Sequence, residues 1–257
     1  MARRRHLAMC TVVILRRPGH SWPLILAANR DEMTTRPSAP PAAHWPDRPG
    51  VIAGLDRQAG GTWLGVNGRV VAAVMNRVGS LGPAPGMLSR GELPLIALAE
   101  TDAEAAAKAV ARRNGASYRP FNMIVADRHA GFWLRRTEGS ERIERAALPD
   151  GLAMLTAHDL DDPASRRIRR FLPRFRAAPA PDPGRGDWVA WQALLASRDH
   201  DPEGGPLDAM AIAATGAFGT VSASLVALAA DGRVLWRYAA GPPDRVPFAD
   251  VDLGGRA

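Results

Sequence analysis

Short apolar runs separated by turn residues organise the amino-terminal part of this chain. Residues 10–15 (Cys10-Thr11-Val12-Val13-Ile14-Leu15) and 24–28 (Leu24-Ile25-Leu26-Ala27-Ala28) are continuous in apolarity rather than alternating. A strand with one wet face alternates; a strand covered on both faces does not. Both runs therefore predict strands buried between layers. Arg17-Pro18-Gly19-His20-Ser21 stands between them, and its Pro-Gly step supplies turn chemistry, so the pair predicts a β-hairpin. Residues 62–66 and 70–75 repeat the arrangement around Asn67-Gly68, and residues 221–229 and 234–239 around Asp231-Gly232. Such dipeptides reach the positive φ that tight hairpin turns require. Residues 121–126, 132–136, 142–146 and 152–156 predict four more strands.

Helical spacing predicts helices over 90–100 and 103–114, the second capped by Asp102 and ended by Gly115. A third starts at Asp162-Pro163, a cap followed by proline at the first helical position, and runs to about Phe175. Asp187 caps a fourth through Leu195. Residues 35–50 are proline-rich and aperiodic and predict a surface loop, with Trp45 anchoring it to the core. Residues 79–89 predict a glycine- and proline-rich loop, and residues 177–186 are the best linker candidate. The order is strands, helices, strands, helices, strands, and hairpins at both ends argue for antiparallel pairing. The pattern predicts an α+β fold with two sheets between helical layers, and the length fits one large domain or two small ones.

Composition changes this little. With 257 residues, 46% hydrophobic and 23% charged, the chain can bury a substantial core. The net charge is +7, carried almost wholly by arginine, since Lys108 is the only lysine. The arginines are scattered. Clusters occur at Arg3-Arg4-Arg5 and at Arg166-Arg167 with Arg169-Arg170. The second cluster predicts a solvated helix face, and nucleic-acid binding is not expected. No apolar run is long enough to cross a bilayer, so membrane insertion is not expected. Residues 7–15 are closed by Arg16-Arg17 without a small-residue cleavage site, and a lipoprotein reading of Leu7-Ala8-Met9-Cys10 lacks a preceding apolar segment. A cytoplasmic location is expected. The six histidines are dispersed, so neither a metal nor another cofactor is expected. Gly60-Gly61-Thr62-Trp63-Leu64-Gly65 lacks the lysine of a phosphate-binding loop and predicts a strand entry, with Trp63 lining a site or packing in the core.

One cysteine, Cys10, follows Met9. A lone cysteine on a strand is usually a small buried hydrophobe. Placed at an amino terminus, it would instead carry a thiol nucleophile and its own base, the α-amine, with a reference pKa of about 7.7–8.0. If the first hairpin is tight, Asn29-Arg30-Asp31-Glu32 ends at the same sheet edge as Cys10. Arg30 would favour thiolate, and Asp31 would hold or orient the α-amine. An Arg–Asp–Glu salt-bridge cluster closing the edge is the alternative.

Met9-Cys10-Thr11, residues 24–32, Arg36-Pro37, Trp45, Gly60–Gly65, Asn76-Arg77, Ser89-Arg90-Gly91-Glu92-Leu93, Phe121-Asn122 and Gly219-Thr220 together resemble the NRDE family, also called the transport and Golgi organisation 2 family. The resemblance spans most of the chain and so implies one domain over 1–257, with a four-layer αββα sandwich like that of N-terminal-nucleophile hydrolases. It also implies kinship with cysteine enzymes that cleave non-peptide amides. Carried over, Cys10 attacks, Arg30 and Asp31 tune and position it, and Asn76 helps hold the oxyanion. Asn29, Trp63 and Arg77 fall in the matched motifs as substrate-binding candidates. The chain departs from the family at Thr156-Ala157, where many members have Ser-Asn, and at Val221, where arginine often follows Gly-Thr. The expected function is a cysteine hydrolase of a small amide or acyl compound. The alternative is a non-enzymatic carrier of a small molecule, with haem handling implied by the family. Residues 1–9 are either an extension to be removed, a misassigned start, or a retained segment that blocks the site.

Overall fold

The computed structural model describes residues 10–214 and 216–254, so the amino-terminal extension lies outside the described residues. The first predicted hairpin forms β1 (Thr11–Arg16) and β2 (Leu24–Met33), with Val12 opposite Ala28 and Ile14 opposite Leu26. These strands sit centrally in a six-stranded sheet completed by β10 (Gly151–Leu155), β11 (Phe218–Leu228), β12 (Val234–Ala239) and β13 (Ala249–Asp250). Its order is β10-β1-β2-β11-β12-β13. A second, seven-stranded sheet runs in sequence order: β3 (Ser38–Ala42), β4 (Ile52–Asp56), β5 (Leu64–Val66), β6 (Val71–Asn76), β7 (Phe121–Ala126), β8 (Gly131–Arg136) and β9 (Glu144–Ala147). All of these pairings are antiparallel.

Three apolar cores show how the layers stack. One lies between the sheets and joins Val12, Ile14 and Leu26 to Leu64, Val71 and Ile124. A second lies between the seven-stranded sheet and helices α1 (Glu92–Ala97) and α2 (Ala103–Ala111). The third lies between the six-stranded sheet and helices α3 (Arg166–Ala177) and α4 (Val189–Leu195). This explains the unbroken apolar runs. Ile14 and Leu26 face the other sheet, while Val13, Ile25 and Ala27 face the helices, so neither side of the strand can be polar.

Several local expectations need correction. The proline-rich stretch contains β3, which proline tolerates because β3 is an edge strand whose register shifts between Ala39 and Ala42, around Pro40 and Pro41. β4 escaped prediction because Gly54 interrupts its short apolar pattern. Asp102 does cap α2, accepting from the Ala105 N–H at 2.8 Å, but the helix ends at Ala111, short of Gly115. α3 starts later than predicted: Ser165, not Asp162, accepts from the Ile168 N–H. The arginine cluster on α3 is not uniformly solvated, because Arg167 is 4% exposed.

Candidate functional site

β2 does not stop at Ala28. It continues through Met33, so Asn29, Arg30, Asp31 and Glu32 alternate between faces. Arg30 turns toward the second sheet, where its guanidinium lies 3.7 Å from the centre of the Trp63 ring. Asn29 and Asp31 turn toward the helices. The NRDE tetrapeptide therefore serves two sides of one sheet.

On the Arg30 side is a cavity of about 260 Å³. Cys10, Arg30, Glu32, Trp63 and Asn76 border it, and loop residues 82–84 and 87–91 wall its far side. Cys10 enters from the start of β1, with its Sγ directed at the Asp31 carbonyl oxygen at 3.6 Å. Burial pushes the thiol up to about 12; the neighbouring Asp31 charge adds to this, and the pull of Arg30 is weaker. Attached through an amide to residue 9, the sulfur is therefore a protonated thiol at neutral pH.

On the helix side, Asp31 is fully enclosed. Its Oδ1 accepts from the Thr220 hydroxyl at 2.6 Å, and its Oδ2 accepts from Arg167 Nη1 at 2.8 Å. Arg167 also donates to Thr11 Oγ1 at 2.7 Å and to the Leu207 carbonyl at 3.0 Å. Burial pushes the Asp31 carboxyl up, against the opposing pull of Arg167 and Thr220. Thr11 lies in the strand directly after Cys10, so this buried cluster fixes the backbone that carries the thiol. Asn29 is committed to structure: its amide nitrogen donates to the carbonyls of Leu195 at 2.9 Å and Met210 at 2.8 Å, tying β2 to the end of α4.

Asn76 ends β6 and borders the cavity. Arg77, one residue on, belongs to a different network. It donates to Asn122 Oδ1 at 2.7 Å and pairs with Asp159 at 2.7 Å, and Asp159 also pairs with Arg135. Asn122 in turn donates to the carbonyls of Thr156 and His158. This network clamps the loop after β10, where Ala157 and His158 stand. The structure thus brings Cys10, Arg30, Trp63 and Asn76 together around one cavity. It sets Asp31 and Asn29 behind the strand and Arg77 to one side.

Sequence reasoning missed Arg167. A signal existed: Arg167 lies four residues before Phe171, on the stripe that buries Ile168, Phe171, Leu172 and Phe175. It also missed the roles of Arg90 and Arg119. Arg90 Nη1 donates to the carbonyls of Ser80 and Pro120, and Arg119 donates to those of Gly79, Leu81, Gly82 and Pro83. Two guanidiniums thereby hold the cavity loop by its backbone, a role that sequence spacing does not reveal. No cluster of potential metal ligands occurs among the described residues, and none of their helices is long and apolar enough to cross a membrane.

The chain is similar to the Transport and Golgi organization 2 homolog of Mus musculus, with 37% identity over 112 residues. It is also similar to the Transport and Golgi organization protein 2 homologs of Bos taurus (37% over 114 residues) and Homo sapiens (35% over 114 residues). Each match covers 42% of this chain and spans 40% of the relative's length. The family model for Transport and Golgi organisation 2 matches residues 9–180, from just before the cysteine through α3. By that match, which takes in Cys10, Arg30, Asp31, Trp63, Asn76 and Arg167, the chain belongs to the Transport and Golgi organisation 2 family.

Proposed function

We propose that this protein is a cysteine hydrolase of the N-terminal-nucleophile type, acting on a small amide or acyl compound. The observation that carries the reading is the position of Cys10: the residue just before a central strand, bordering a cavity beside a buried guanidinium. The two sheets between helical pairs support assignment to that fold class.

Once the Met9–Cys10 bond is broken, the Cys10 nitrogen becomes an amine. The amine accepts the Sγ proton as sulfur attacks the substrate carbonyl carbon. The tetrahedral oxyanion collects hydrogen bonds, for which Asn76 is the side chain at the cavity wall. The carbon–nitrogen bond then breaks, the departing amine takes the proton from the α-ammonium, and a thioester remains on Cys10. Water, deprotonated by the α-amine, adds to the thioester; the acid leaves, and the thiol is restored. While residue 9 is attached the nitrogen is an amide without a usable lone pair, and the thiol is held at about 12. Activity thus requires Cys10 to be the terminus.

The test is an intact-mass measurement of natively expressed protein, followed by incubation with activated acyl esters. A chain beginning at Cys10 that gains one acyl mass, lost in Cys10→Ala, supports the reading. A chain that begins at Cys10 and stays unmodified sinks it.

The raised thiol favours a second reading for any chain that keeps residue 9: a non-enzymatic carrier using the same cavity, with haem as the family-implied cargo. A haem absorbance band retained in Cys10→Ala, with no acyl adduct on wild type, is the result expected of it.

A further inference from the structure

Two chambers meet at Cys10. The outer one holds four arginines, Arg30, Arg36, Arg90 and Arg119, against two carboxylates, Glu32 and Asp56. Most of these charges are already engaged. Arg36 donates to Asp56 at 2.6 Å and lies 3.8 Å from Glu32, and Arg90 and Arg119 hold the carbonyls of the cavity loop. Arg30 differs. It is 6% exposed, stacks on Trp63 and borders the chamber, and no acceptor among the described residues takes a hydrogen bond from its guanidinium. A buried guanidinium costs desolvation unless an acceptor meets it. Its planar fork fits a carboxylate.

The inner chamber is of another kind. It lies between the two sheets, measures about 20 Å³, and is bordered by Val12, Ala28, Leu64, Ala73 and Met75, with Ser222 and Ser224 of β11 beside them. Cys10, Arg30 and Trp63 border both chambers. Its mainly apolar walls favour hydrocarbon, and its size admits only a few heavy atoms. Ala28 and Ala73 border it with small side chains, so a larger residue at either reduces its volume.

We infer that the substrate class of this site is a short-chain N-acyl amino acid or a close analogue. Its unbranched acyl group enters the inner chamber, and its carboxylate, on the amine side of the bond, meets Arg30 in the outer one. This deepens the hydrolase reading, which supplies the position of the scissile bond at Cys10. The binding preference itself does not depend on turnover.

The experiment is calorimetric titration of the full chain carrying Cys10→Ala, which separates binding from chemistry. The probes are N-butyrylglycine, its uncharged partner N-butyrylglycinamide, and N-palmitoylglycine. N-butyrylglycine is expected to bind at least about tenfold more tightly than the glycinamide, as a charge-assisted contact to a buried guanidinium requires. The palmitoyl compound is expected to bind more weakly than the butyryl one. Ala73→Leu, or Ala28→Val if the first does not fold, should weaken N-butyrylglycine more than N-acetylglycine. Equal affinity for acid and amide, tightest binding of the palmitoyl compound, or no binding of any probe overturns the inference. Failure of the hydrolase reading looks different: the preference is kept, but a wild-type chain beginning at Cys10 forms no thioester.

Discussion

At the scale of single residues the site is a sandwich of charge around one strand. Cys10 and Arg30 face the cavity, and Asp31 and Arg167 lie behind it with side chains 0% and 5% exposed. Removing one partner from such a buried pair leaves the other charged in a dry place, at a cost of about 3–5 kcal/mol. Arg167→Met should therefore lose stability of that order at neutral pH in urea denaturation. The loss should depend on pH in a defined sense. Without Arg167 the native Asp31 carboxyl rises further above its unfolded value of about 3.9. A native pKa above the unfolded one contributes stability below the unfolded value and loses it as pH rises through the native value. The deficit of Arg167→Met should thus shrink as pH falls toward about 4; a pH-independent deficit would show that lost packing, not lost charge pairing, is the cause. Cys10 gives a second residue-scale expectation. In a chain retaining residue 9, thiol alkylation should rise roughly tenfold per pH unit from 7 to 9 without levelling, because a thiol held at about 12 is protonated throughout. A plateau below pH 9 would mean that the thiol is not held up by burial.

Elements set the placement of these side chains. Trp63 comes just before β5 and spreads across Gly54 of β4, where an added Cβ would overlap its ring. Gly54→Ala should push the indole off the floor of the cavity and loosen Arg30 above it. A stability loss of about 1–3 kcal/mol, a shift in tryptophan emission and weaker carboxylate binding should accompany one another. Unchanged emission with weakened binding would mean that Trp63 is not the route. The cavity loop over residues 79–89 has little secondary structure and is held through its carbonyls by Arg90, at Ser80, and by Arg119, at Gly79. Arg119→Ala should speed proteolysis within 79–89 severalfold while leaving the thermal midpoint nearly unchanged. A large fall in the midpoint would instead show that the loop is part of the global fold. Hairpins were the most legible elements, because Asn67-Gly68 and Asp231-Gly232 encode their turns locally. β3 was illegible because its tolerance for proline comes from being at an edge, which only the assembled sheet decides. The start of α3 was misread because Asp162-Pro163 and Ser165 are both good start signals, and packing of the helix selects between them.

Among the described residues, three stacked cores hold two sheets and four α-helices in register, and the cavity lies between the sheets beside Cys10. Leu26 is fully buried in the core between the sheets. Leu26→Ala should cost about 2–5 kcal/mol and also weaken ligand binding, because Leu26 stands two residues from Ala28, on the strand face that borders the inner chamber. Stability loss with unaltered affinity would separate the core from the site. The sequence by itself determined the hairpins, the antiparallel α+β class and the doubly covered central strands. These follow from short-range turn chemistry, the period of apolar positions and strand register, all written within a few dozen residues. Only the tertiary structure decided that Asp31 and Asn29 lie behind the strand, that Arg77 serves a separate network with Asp159, and that Arg167 arrives from α3 to neutralise Asp31. Those outcomes depend on which face of β2 each layer covers and on contacts across more than a hundred residues of chain, where burial and charge pairing override local pattern.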